Sequence, residues 1–261
     1  MSDDLALLRD AALEAGRIAR EHRERGLKIW SKSGGSPVTD ADLAVDKRLH
    51  DILLAARPDY GWLSEETADD PARLSRRRLF VVDPIDGTVA FMKDKPWWTV
   101  ALAVVEDEQP VAAVVYAPAL DELYEAAAGQ GARRNGQSIR ASDADSLEDA
   151  AMLADAKLFE RDIWTDPWPA MRFEKRNSIA YRMALVAAGA FDAAVALSPK
   201  HDWDVAAGAL IAAEAGAITT DHRGRPFRFN QPVPAQPSLV CAAPGVHPLI
   251  LSRCAPISLP E

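Results

Sequence analysis

Residues 79–88 read Leu-Phe-Val-Val-Asp-Pro-Ile-Asp-Gly-Thr. The continuous apolar run 79–82, closed by an Asp-Pro pair, is the pattern of a buried central strand. Asp83 and Asp86 stand three positions apart where this strand ends, and functional groups of α/β sheets usually lie at such strand ends. The segment therefore predicts an α/β fold with a functional site at the end of this strand.

The turn after the strand is suited to binding a phosphate together with a metal ion. Pro84 stiffens the turn, and Gly87 lets the backbone approach a ligand closely. A helix that starts near Gly87 would direct free N–H groups at an anion, while the carboxylates would hold Mg²⁺. A lone Asp-x-x-Asp is more often a turn that caps a helix, but the complete hexapeptide 83–88 at a buried strand end favours the metal and phosphate site.

Two glutamates, Glu65 and Glu66, precede this segment and directly follow the short apolar run 61–64. Adjacent glutamates on a surface loop are usually only solvated. If 61–64 forms a strand beside 79–82, however, the two strands would end side by side. Glu65, eighteen residues before Asp83, would then lie near it.

A further carboxylate, that of Asp204, follows Trp203 and opens the segment 204–215, which is almost all Ala, Val, Leu, Ile and Gly. That composition predicts a helix buried on most sides. An Asp in the first turn of a helix often acts as a cap. In a protected crevice, however, its charge would be costly unless it met a cation.

The rest of the chain alternates helical and strand patterns. Helical periodicity covers residues 4–24, 40–56 and 179–188, and apolar or β-branched runs predict strands at 98–105, 110–117, 123–128, 191–197 and 238–242. A loop rich in Gly and Ser runs from residue 31 to residue 37. The order of elements indicates a layered α/β architecture in two halves, 1–145 with the hexapeptide and 146–261 closing the site.

Composition restricts the class of ligand and the cellular setting. The 261 residues carry 39 acidic against 30 basic side chains, a net charge of -9, which argues against binding a nucleic acid polymer. No uncharged apolar stretch reaches the roughly 18 residues that span a bilayer. Cys241 and Cys254 lack metal-type spacing and no secretory signal pattern is visible, so a cytoplasmic protein with reduced thiols is expected.

Five segments together resemble one protein family. They are 38–42 (Val-Thr-Asp-Ala-Asp), 63–67 (Leu-Ser-Glu-Glu-Thr), 83–88, 178–192 and 203–208 (Trp-Asp-Val-Ala-Ala-Gly). In this order and spacing, the sequence resembles the inositol monophosphatase superfamily of Mg²⁺-dependent, lithium-sensitive phosphomonoesterases. The resemblance implies a layered α-β-α-β-α sandwich of the inositol monophosphatase and fructose-1,6-bisphosphatase type, usually a homodimer, that acts on a small phosphorylated metabolite.

The resemblance also implies the ligands of two or three Mg²⁺ ions. Glu65, Asp83 and the backbone carbonyl of Ile85 would bind the first ion. Asp83, Asp86 and Asp204 would bind the second. Glu65 would also contact a third, more weakly held ion. The resemblance therefore makes Glu65 a catalytic residue as well as a metal ligand. These roles agree with the chemistry of the residues, because crowded carboxylates repel one another unless cations lie among them.

By the same resemblance, Thr88 paired with Asp42 would orient and deprotonate the attacking water. The backbone N–H groups of Gly87 and Thr88 would hold the phosphate of the substrate, beside the carboxylates of Asp86 and Asp204. Cations at such a site lower the pKa of bound water, neutralise phosphate oxygens and stabilise the leaving alkoxide. In-line attack by water then requires no covalent intermediate.

The region before Asp204 bears on the choice of substrate. Inositol-specific members of the family carry a glutamate seven residues before that aspartate, where this chain has Leu197. The segment looks more like bacterial CysQ-type members, which remove the 3′-phosphate from adenosine 3′,5′-bisphosphate, and Lys200 or His201 could bind the second phosphate. Residues 89–91, Val-Ala-Phe, depart from the Lys-Glu-Phe of many such nucleotidases. We therefore predict a 3′(2′),5′-bisphosphate nucleotidase, with an inositol-1-phosphate phosphatase as the alternative.

Other classes of function are less compatible with the sequence. An aspartyl-phosphate enzyme would space its two aspartates two apart, and the hexapeptide spaces them three apart. The Gly-x-x-x-x-Gly-Lys-Ser/Thr loop of nucleotide hydrolases and the Gly-x-Ser-x-Gly of serine hydrolases are absent. A non-catalytic regulatory protein that binds metal and phosphate is the main rival, since fold does not fix function. Such a protein would be expected to have lost a ligand or the water activator, and all of these groups are present.

Overall fold

The computed structural model describes residues 3–32 and 35–259. Its helices are α1 (Asp3–Arg25), α2 (Asp40–Ala56), α3 (Thr88–Met92), α4 (Ala156–Phe159), α5 (Ile179–Ala187), α6 (Asp202–Glu214) and α7 (His247–Cys254), and a 3-10 helix spans Pro71–Ser75. Its strands are β1 (Ile29–Ser31), β2 (Pro37–Thr39), β3 (Gly61–Ser64), β4 (Arg78–Asp86), β5 (Thr99–Glu106), β6 (Gln109–Ala117), β7 (Glu122–Ala127), β8 (Ala132–Arg134), β9 (Gln137–Ser138), β10 (Ala151–Leu153), β11 (Arg172–Glu174), β12 (Ala193–Ala196), β13 (Lys200–His201), β14 (Ile218–Thr220), β15 (Ala235–Gln236) and β16 (Leu239–Ala242).

The larger sheet contains seven strands in the order β3-β4-β5-β6-β7-β8-β9. β3 and β4 run parallel, and the other neighbours are antiparallel. Successive residues of β4 point to opposite faces, so Leu79 and Val81 pack with α5 and α6 while Phe80 and Val82 pack with α1 and α2. Both faces are covered, which explains why the run 79–82 is continuously apolar.

The smaller sheet contains five strands in the order β11-β10-β12-β16-β14. α5 and α6 lie between the two sheets, and their apolar side chains share one core with residues of both. α4 and α7 pack in a separate cluster against the other face of the smaller sheet. The layers are therefore α-β-α-β-α, which confirms the predicted sandwich.

α6 is apolar on nearly all sides because it lies at the centre of these layers. It begins at Asp202, two residues before the start that the composition predicts. A Cβ added to Gly208 would lie 2.7 Å from the Cβ of Met183 in α5, so glycine is required where the two helices touch. This close contact fixes the first turn of α6, and with it Asp204, relative to α5.

The long helices, the hairpin of β5 and β6 and the strand at 239–242 are confirmed, with small shifts at their ends. The loop predicted at 31–37 connects β1 to β2, which pair with each other, and its residues 33 and 34 lie outside the described part of the chain. The strand predicted at 191–197 is shorter than predicted and spans only β12. α7, by contrast, has no counterpart among the predicted elements.

The change from one sheet to the other falls between the end of β9 at Ser138 and the start of β10 at Ala151. The division into halves at residue 145 stays a prediction. Within the described ranges, no helix is both long enough and apolar enough to cross a membrane. Cys241 and Cys254 are buried and free, in line with the absence of a disulfide pattern in the sequence.

Candidate active site

The parallel pairing of β3 with β4 brings two parts of the predicted site together. Ser64 at the end of β3 is in register with Val82, and the N–H of Glu65 donates to the carbonyl of Val82 at 3.2 Å. Glu65 therefore follows β3 directly beside the point where Asp83 occurs in β4. The side-by-side strand ends that the sequence predicts are present in the structure.

Three carboxylates meet at this point. Asp83 and Asp86 from β4 and Asp204 from the first turn of α6 each place a carboxylate oxygen within 4.8 Å of the others. Asp86 is held by the N-terminus of α5, since it accepts hydrogen bonds from Ser178 Oγ at 2.6 Å and from the N–H of Ala180 at 2.7 Å. We call Asp83, Asp86 and Asp204 the carboxylate cluster.

Asp204 caps its own helix as well as joining the cluster. One of its oxygens accepts a hydrogen bond from the backbone N–H of His201 at 2.8 Å, at the start of α6. The two interpretations that the sequence leaves open for this residue, cap and site carboxylate, are therefore compatible. The ring of His201 stacks on Trp203 with 4.4 Å between centroids, so that histidine contacts the cluster through its backbone.

Burial and mutual repulsion disfavour the charged forms of the three carboxylates in the cluster. Burial, followed by the charges of Glu65 and the other cluster members, raises the pKa of Asp83 well above its usual range. Burial and the charge of Asp204 raise the pKa of Asp86 to about 7. Burial raises the pKa of Asp204 to about 6, with a further contribution from Glu65. Each carboxylate would be ionised more readily beside a cation.

Glu65 also faces a lysine. Lys32 Nζ lies 2.8 Å from an oxygen of Glu65 and 2.8 Å from an oxygen of Glu66. The two glutamates therefore share one ammonium group, while the charge of Glu65 still acts on Asp83. Burial raises the pKa of Glu66 to about 7, so this glutamate is the poorly solvated member of the pair.

Thr88 and Asp42 form the second predicted pair. Thr88 Oγ1 lies 3.3 Å from Asp42 Oδ1 and 3.1 Å from the carbonyl oxygen of Ile85. Asp42 is fixed at the start of α2, where it accepts hydrogen bonds from the N–H and the hydroxyl of Thr39. Burial raises the pKa of Asp42, so this carboxylate is a better proton acceptor than an exposed aspartate.

Gly87 connects β4 to the short helix α3 in a conformation that other residues rarely adopt. Its φ is 93°, in the left-handed region. A Cβ at this position would also lie 3.0 Å from the backbone nitrogen of Ser178 and 3.2 Å from the carbonyl oxygen of Trp97. α3 starts at Thr88, so the first N–H groups of the helix lie beside the carboxylate cluster, as the hexapeptide predicts.

A cleft of about 500 Å³ opens beside the cluster and is lined by Asp86 and Asp204 among others. We call it the substrate cleft. Its wall contains four basic residues, namely Arg161, Lys175, Arg182 and Lys200, and an apolar group, namely Leu158, Ile179, Val195 and Leu197. Lys200 and Leu197 are residues that the sequence singles out. Arg161, Lys175 and Arg182 are not, because they come from separate parts of the chain.

Two of these cations are held by backbone carbonyls. Arg182 Nε donates to the carbonyl of Arg176 at 2.6 Å, and burial lowers the pKa of Arg182 while the charge of Asp86 opposes this effect. The ammonium of Lys200 lies 2.8 Å from the carbonyl of Pro199, and burial lowers its pKa as well. Lys175 pairs with Asp155 at 3.1 Å. The substrate cleft therefore combines acidic residues of the carboxylate cluster with a set of basic side chains.

The sequence model of the inositol monophosphatase family matches residues 1–257. The chain belongs to the inositol monophosphatase family. It is accordingly a metal-dependent phosphomonoester hydrolase.

Individual members of the family confirm this placement. The chain is 32% identical over 230 residues to inositol monophosphatase 2 of Solanum lycopersicum, covering 84% of this chain and 87% of that protein. It is also 32% identical over 231 residues to the 3′(2′),5′-bisphosphate nucleotidase CysQ of Aggregatibacter actinomycetemcomitans, covering 85% and 86%. The solved structure of a Thermotoga maritima IMPase superposes with a TM-score of 0.84 at 28% identity, covering 96% of each chain.

The carboxylate cluster of this inositol monophosphatase family member fits the metal that the family requires. Its donors are all carboxylate oxygens, which are the ligands that Mg²⁺ prefers. Their crowding and burial raise the pKa values of all three aspartates, and a divalent cation among them would favour their ionised forms. The residues present are therefore suited to one or more divalent cations.

These pKa values predict how the stability of the metal-free protein depends on pH. Asp86 and Asp204 have pKa values of about 7 and about 6 in the folded state, above the usual value for aspartate. Between about pH 4 and about pH 7 the folded state therefore binds more protons than the unfolded state, and the free energy of unfolding falls as pH rises. Mg²⁺ binds the ionised form, so its stabilising effect should grow over the same range.

Thermal unfolding of metal-stripped protein at about pH 5 and at about pH 7.5, with and without Mg²⁺, measures this effect. The increase in Tm on adding Mg²⁺ should be larger at the higher pH. The Asp86→Asn variant is the control, because it should lose part of the pH dependence. An equal Tm increase at both pH values in the unsubstituted protein would contradict the prediction.

Proposed function

We propose that this phosphatase removes the 3′-phosphate from adenosine 3′,5′-bisphosphate and yields AMP, the reaction of a 3′(2′),5′-bisphosphate nucleotidase. The observation that carries the proposal is the cationic wall of the substrate cleft. A substrate with a single phosphate needs only the metal site for its charge. A second anionic group, placed away from the cluster, would account for several basic side chains in the same cleft.

The substrate cleft also fits the other parts of a nucleoside bisphosphate. Its volume of about 500 Å³ is in the range that holds small ligands. Arg182 offers a planar group of donors that matches the oxygens of a phosphate. Leu158, Val195 and Leu197 provide an apolar surface for the base. The acidic balance of the whole chain is no obstacle, because these charges are local.

In this proposal, two or three Mg²⁺ ions would be held by Glu65, the carboxylate cluster and the carbonyl of Ile85. When bound, they would neutralise charge at the phosphate and stabilise the leaving oxygen. Thr88 Oγ1 orients a water molecule. Asp42, which is hydrogen-bonded to Thr88 Oγ1, accepts the proton that this water loses. The N–H groups of Gly87 and Thr88 bind phosphate oxygens at the start of α3.

An inositol 1-phosphate phosphatase is the second candidate. The chain is as similar to the tomato inositol monophosphatase as to the bacterial nucleotidase, at 32% identity in each case. Leu197 argues against it, because this apolar side chain lines the cleft where inositol-specific members carry a glutamate. Asn177 and Ser198 are the neutral polar residues of the cleft that could contact sugar hydroxyls.

The decisive measurement is kcat/KM, with Mg²⁺, on adenosine 3′,5′-bisphosphate, adenosine 3′-monophosphate, inositol 1-phosphate, fructose 1,6-bisphosphate and histidinol phosphate. We expect adenosine 3′,5′-bisphosphate to be preferred by about tenfold or more over the 3′-monophosphate, which lacks only the second phosphate. A preference for inositol 1-phosphate would favour the second candidate. Absence of Mg²⁺-dependent phosphate release from all of them would favour a regulatory binding protein.

Two further parts of the proposal concern the setting of the enzyme. We propose that it acts on a free metabolite in the cytoplasm, as the reduced cysteines suggest, and as a homodimer, as the family resemblance implies. His201 remains a proposed substrate contact alongside Lys200. Size-exclusion chromatography with light scattering measures the oligomeric state directly.

A further inference from the structure

Asp46 is a buried carboxylate that the reaction described above does not use. It lies in α2 with only 7% of its surface exposed. One of its oxygens accepts a hydrogen bond from Ser64 Oγ at 2.5 Å, and the other accepts one from Thr67 Oγ1 at 2.7 Å. Burying a carboxylate is costly, and here both partners are neutral hydroxyls, so the group needs an explanation.

The two hydroxyls that Asp46 binds lie on either side of Glu65 and Glu66. Ser64 is the last residue of β3, and its Oγ also accepts the N–H of Glu66 at 3.4 Å. Thr67 Oγ1 additionally accepts a hydrogen bond from Trp62 Nε1 at 3.4 Å. The side chain of Asp46 therefore holds both ends of the short turn that contains Glu65 and Glu66.

The position of Glu65 within this turn matters because a cation already pairs with its carboxylate. Lys32 Nζ lies 2.8 Å from a Glu65 oxygen, while the charge of Glu65 also acts on the buried Asp83 of the carboxylate cluster. If the turn were mobile, the ion pair with Lys32 could draw Glu65 away from Asp83. Because the turn is fixed at both ends, the glutamate stays next to Asp83 at the end of β3 even when Lys32 moves.

We propose that Asp46 is a positioning residue that sets the divalent-cation affinity of the active site by fixing the Ser64–Thr67 turn that carries Glu65. The inference rests on the proposed role of Glu65 as a metal ligand. Residues that orient metal ligands typically change metal affinity by 10-fold to 100-fold when they are substituted. Asp46 touches neither the phosphate site nor the substrate cleft, so its effect on substrate binding should be small.

Calorimetric titration of the metal-free protein with Mg²⁺ or Mn²⁺ provides a direct readout without turnover. For Asp46→Ala we expect metal affinity to fall by about 10-fold. At saturating Mg²⁺, KM for the substrate should stay within about twofold and kcat should largely recover, since the catalytic groups remain. A residue with a merely structural role would lower kcat and stability without a selective change in metal affinity.

Asp51→Ala is the matched control, because Asp51 lies on the same helix but is exposed and pairs with Lys47. It should leave metal affinity unchanged. If Asp46→Ala fails to fold, Asp46→Asn and Thr67→Val each disrupt one of the two hydrogen bonds with less loss of packing. They should weaken metal binding in the same direction.

Glu65→Gln separates this inference from the proposed function. If Glu65→Gln weakens metal binding and none of the Asp46 or Thr67 variants does, the positioning role is overturned while the metal site stands. If Glu65→Gln itself leaves metal affinity unchanged, the proposed role of Glu65 fails, and the inference about Asp46 fails with it.

Discussion

Replacing Asp83 by asparagine is expected to slow turnover by about a thousandfold while leaving the metal-free protein at least as stable as before. Asp83 is fully buried. Burial, followed by the charge of Glu65, raises its pKa well above the usual value for aspartate. An amide cannot supply the charge that a cation requires. Losing about 4 kcal/mol of charge stabilisation in the transition state corresponds to about a thousandfold in kcat.

The same substitution should not weaken the fold without metal. The N–H of Ile85 donates to Asp83 Oδ1 at 3.1 Å, and an asparagine oxygen can accept that bond equally well. The substitution also removes one of several buried like charges, so the Tm of the metal-free variant should be unchanged or higher. Activity should therefore fall without a loss of stability, and Mg²⁺ should no longer raise the Tm of the variant.

Asp221→Asn is the matched control for a buried aspartate outside the site. Asp221 Oδ1 accepts hydrogen bonds from the N–H groups of Arg223 and Arg225, both at 2.8 Å. Its replacement should leave kcat nearly unchanged, because Asp221 lies outside the site. The interpretation of Asp83 as a metal ligand would be wrong if Asp83→Asn kept a rate within tenfold of the unsubstituted enzyme.

The parts of the fold that the sequence predicts are those with a strong local period. The apolar spacing reveals the type of element where the element is long enough, as in α1, α2, β4 and the hairpin of β5 and β6. α7 is different, because Pro248 looks like a helix breaker, whereas in the structure it lies in the first turn, where no backbone N–H is needed. β8 to β11 are two or three residues long, too short for any period to show.

Two members of the carboxylate cluster could be predicted together because Asp83 and Asp86 lie in one hexapeptide. Asp204 could be singled out because it opens a helix that is apolar on nearly all sides. The cationic wall could not, because Arg161, Lys175 and Arg182 meet only when α4, β11 and α5 are packed together. One signal was available in the sequence. Arg182 is the single charged residue of α5, Ile-Ala-Tyr-Arg-Met-Ala-Leu-Val-Ala, and a lone arginine in an apolar helix needs a polar partner or a ligand.

Arg182→Met should lower kcat/KM for adenosine 3′,5′-bisphosphate by about a hundredfold and for adenosine 3′-monophosphate by only about threefold. Methionine keeps the apolar stem of the side chain and removes the charge. Leaving a buried phosphate without its charged partner costs about 3 kcal/mol, which is about a hundredfold in rate. The monophosphate has no group at that position and should lose little.

Two variants test whether charge and shape both matter at this position. Arg182→Lys keeps the cation but loses the forked donors that match a phosphate, so its rate on the bisphosphate should be intermediate. Arg140→Met removes an arginine that is exposed and paired with Asp143, away from the substrate cleft, and should have no selective effect. The rate on the bisphosphate should therefore fall in the order Arg182, Arg182→Lys, Arg182→Met, whereas the rate on the monophosphate should change little.

The ratio of the two kcat/KM values is the informative quantity, because a general disturbance of α5 would change both equally. Such a disturbance is conceivable since Arg182 donates to the carbonyl of Arg176 and α5 also carries the N–H that binds Asp86. An equal fall for both substrates would therefore assign Arg182 to the support of the carboxylate cluster. A selective fall for the bisphosphate would instead assign it to the second phosphate, because only that substrate carries a charge for it to bind.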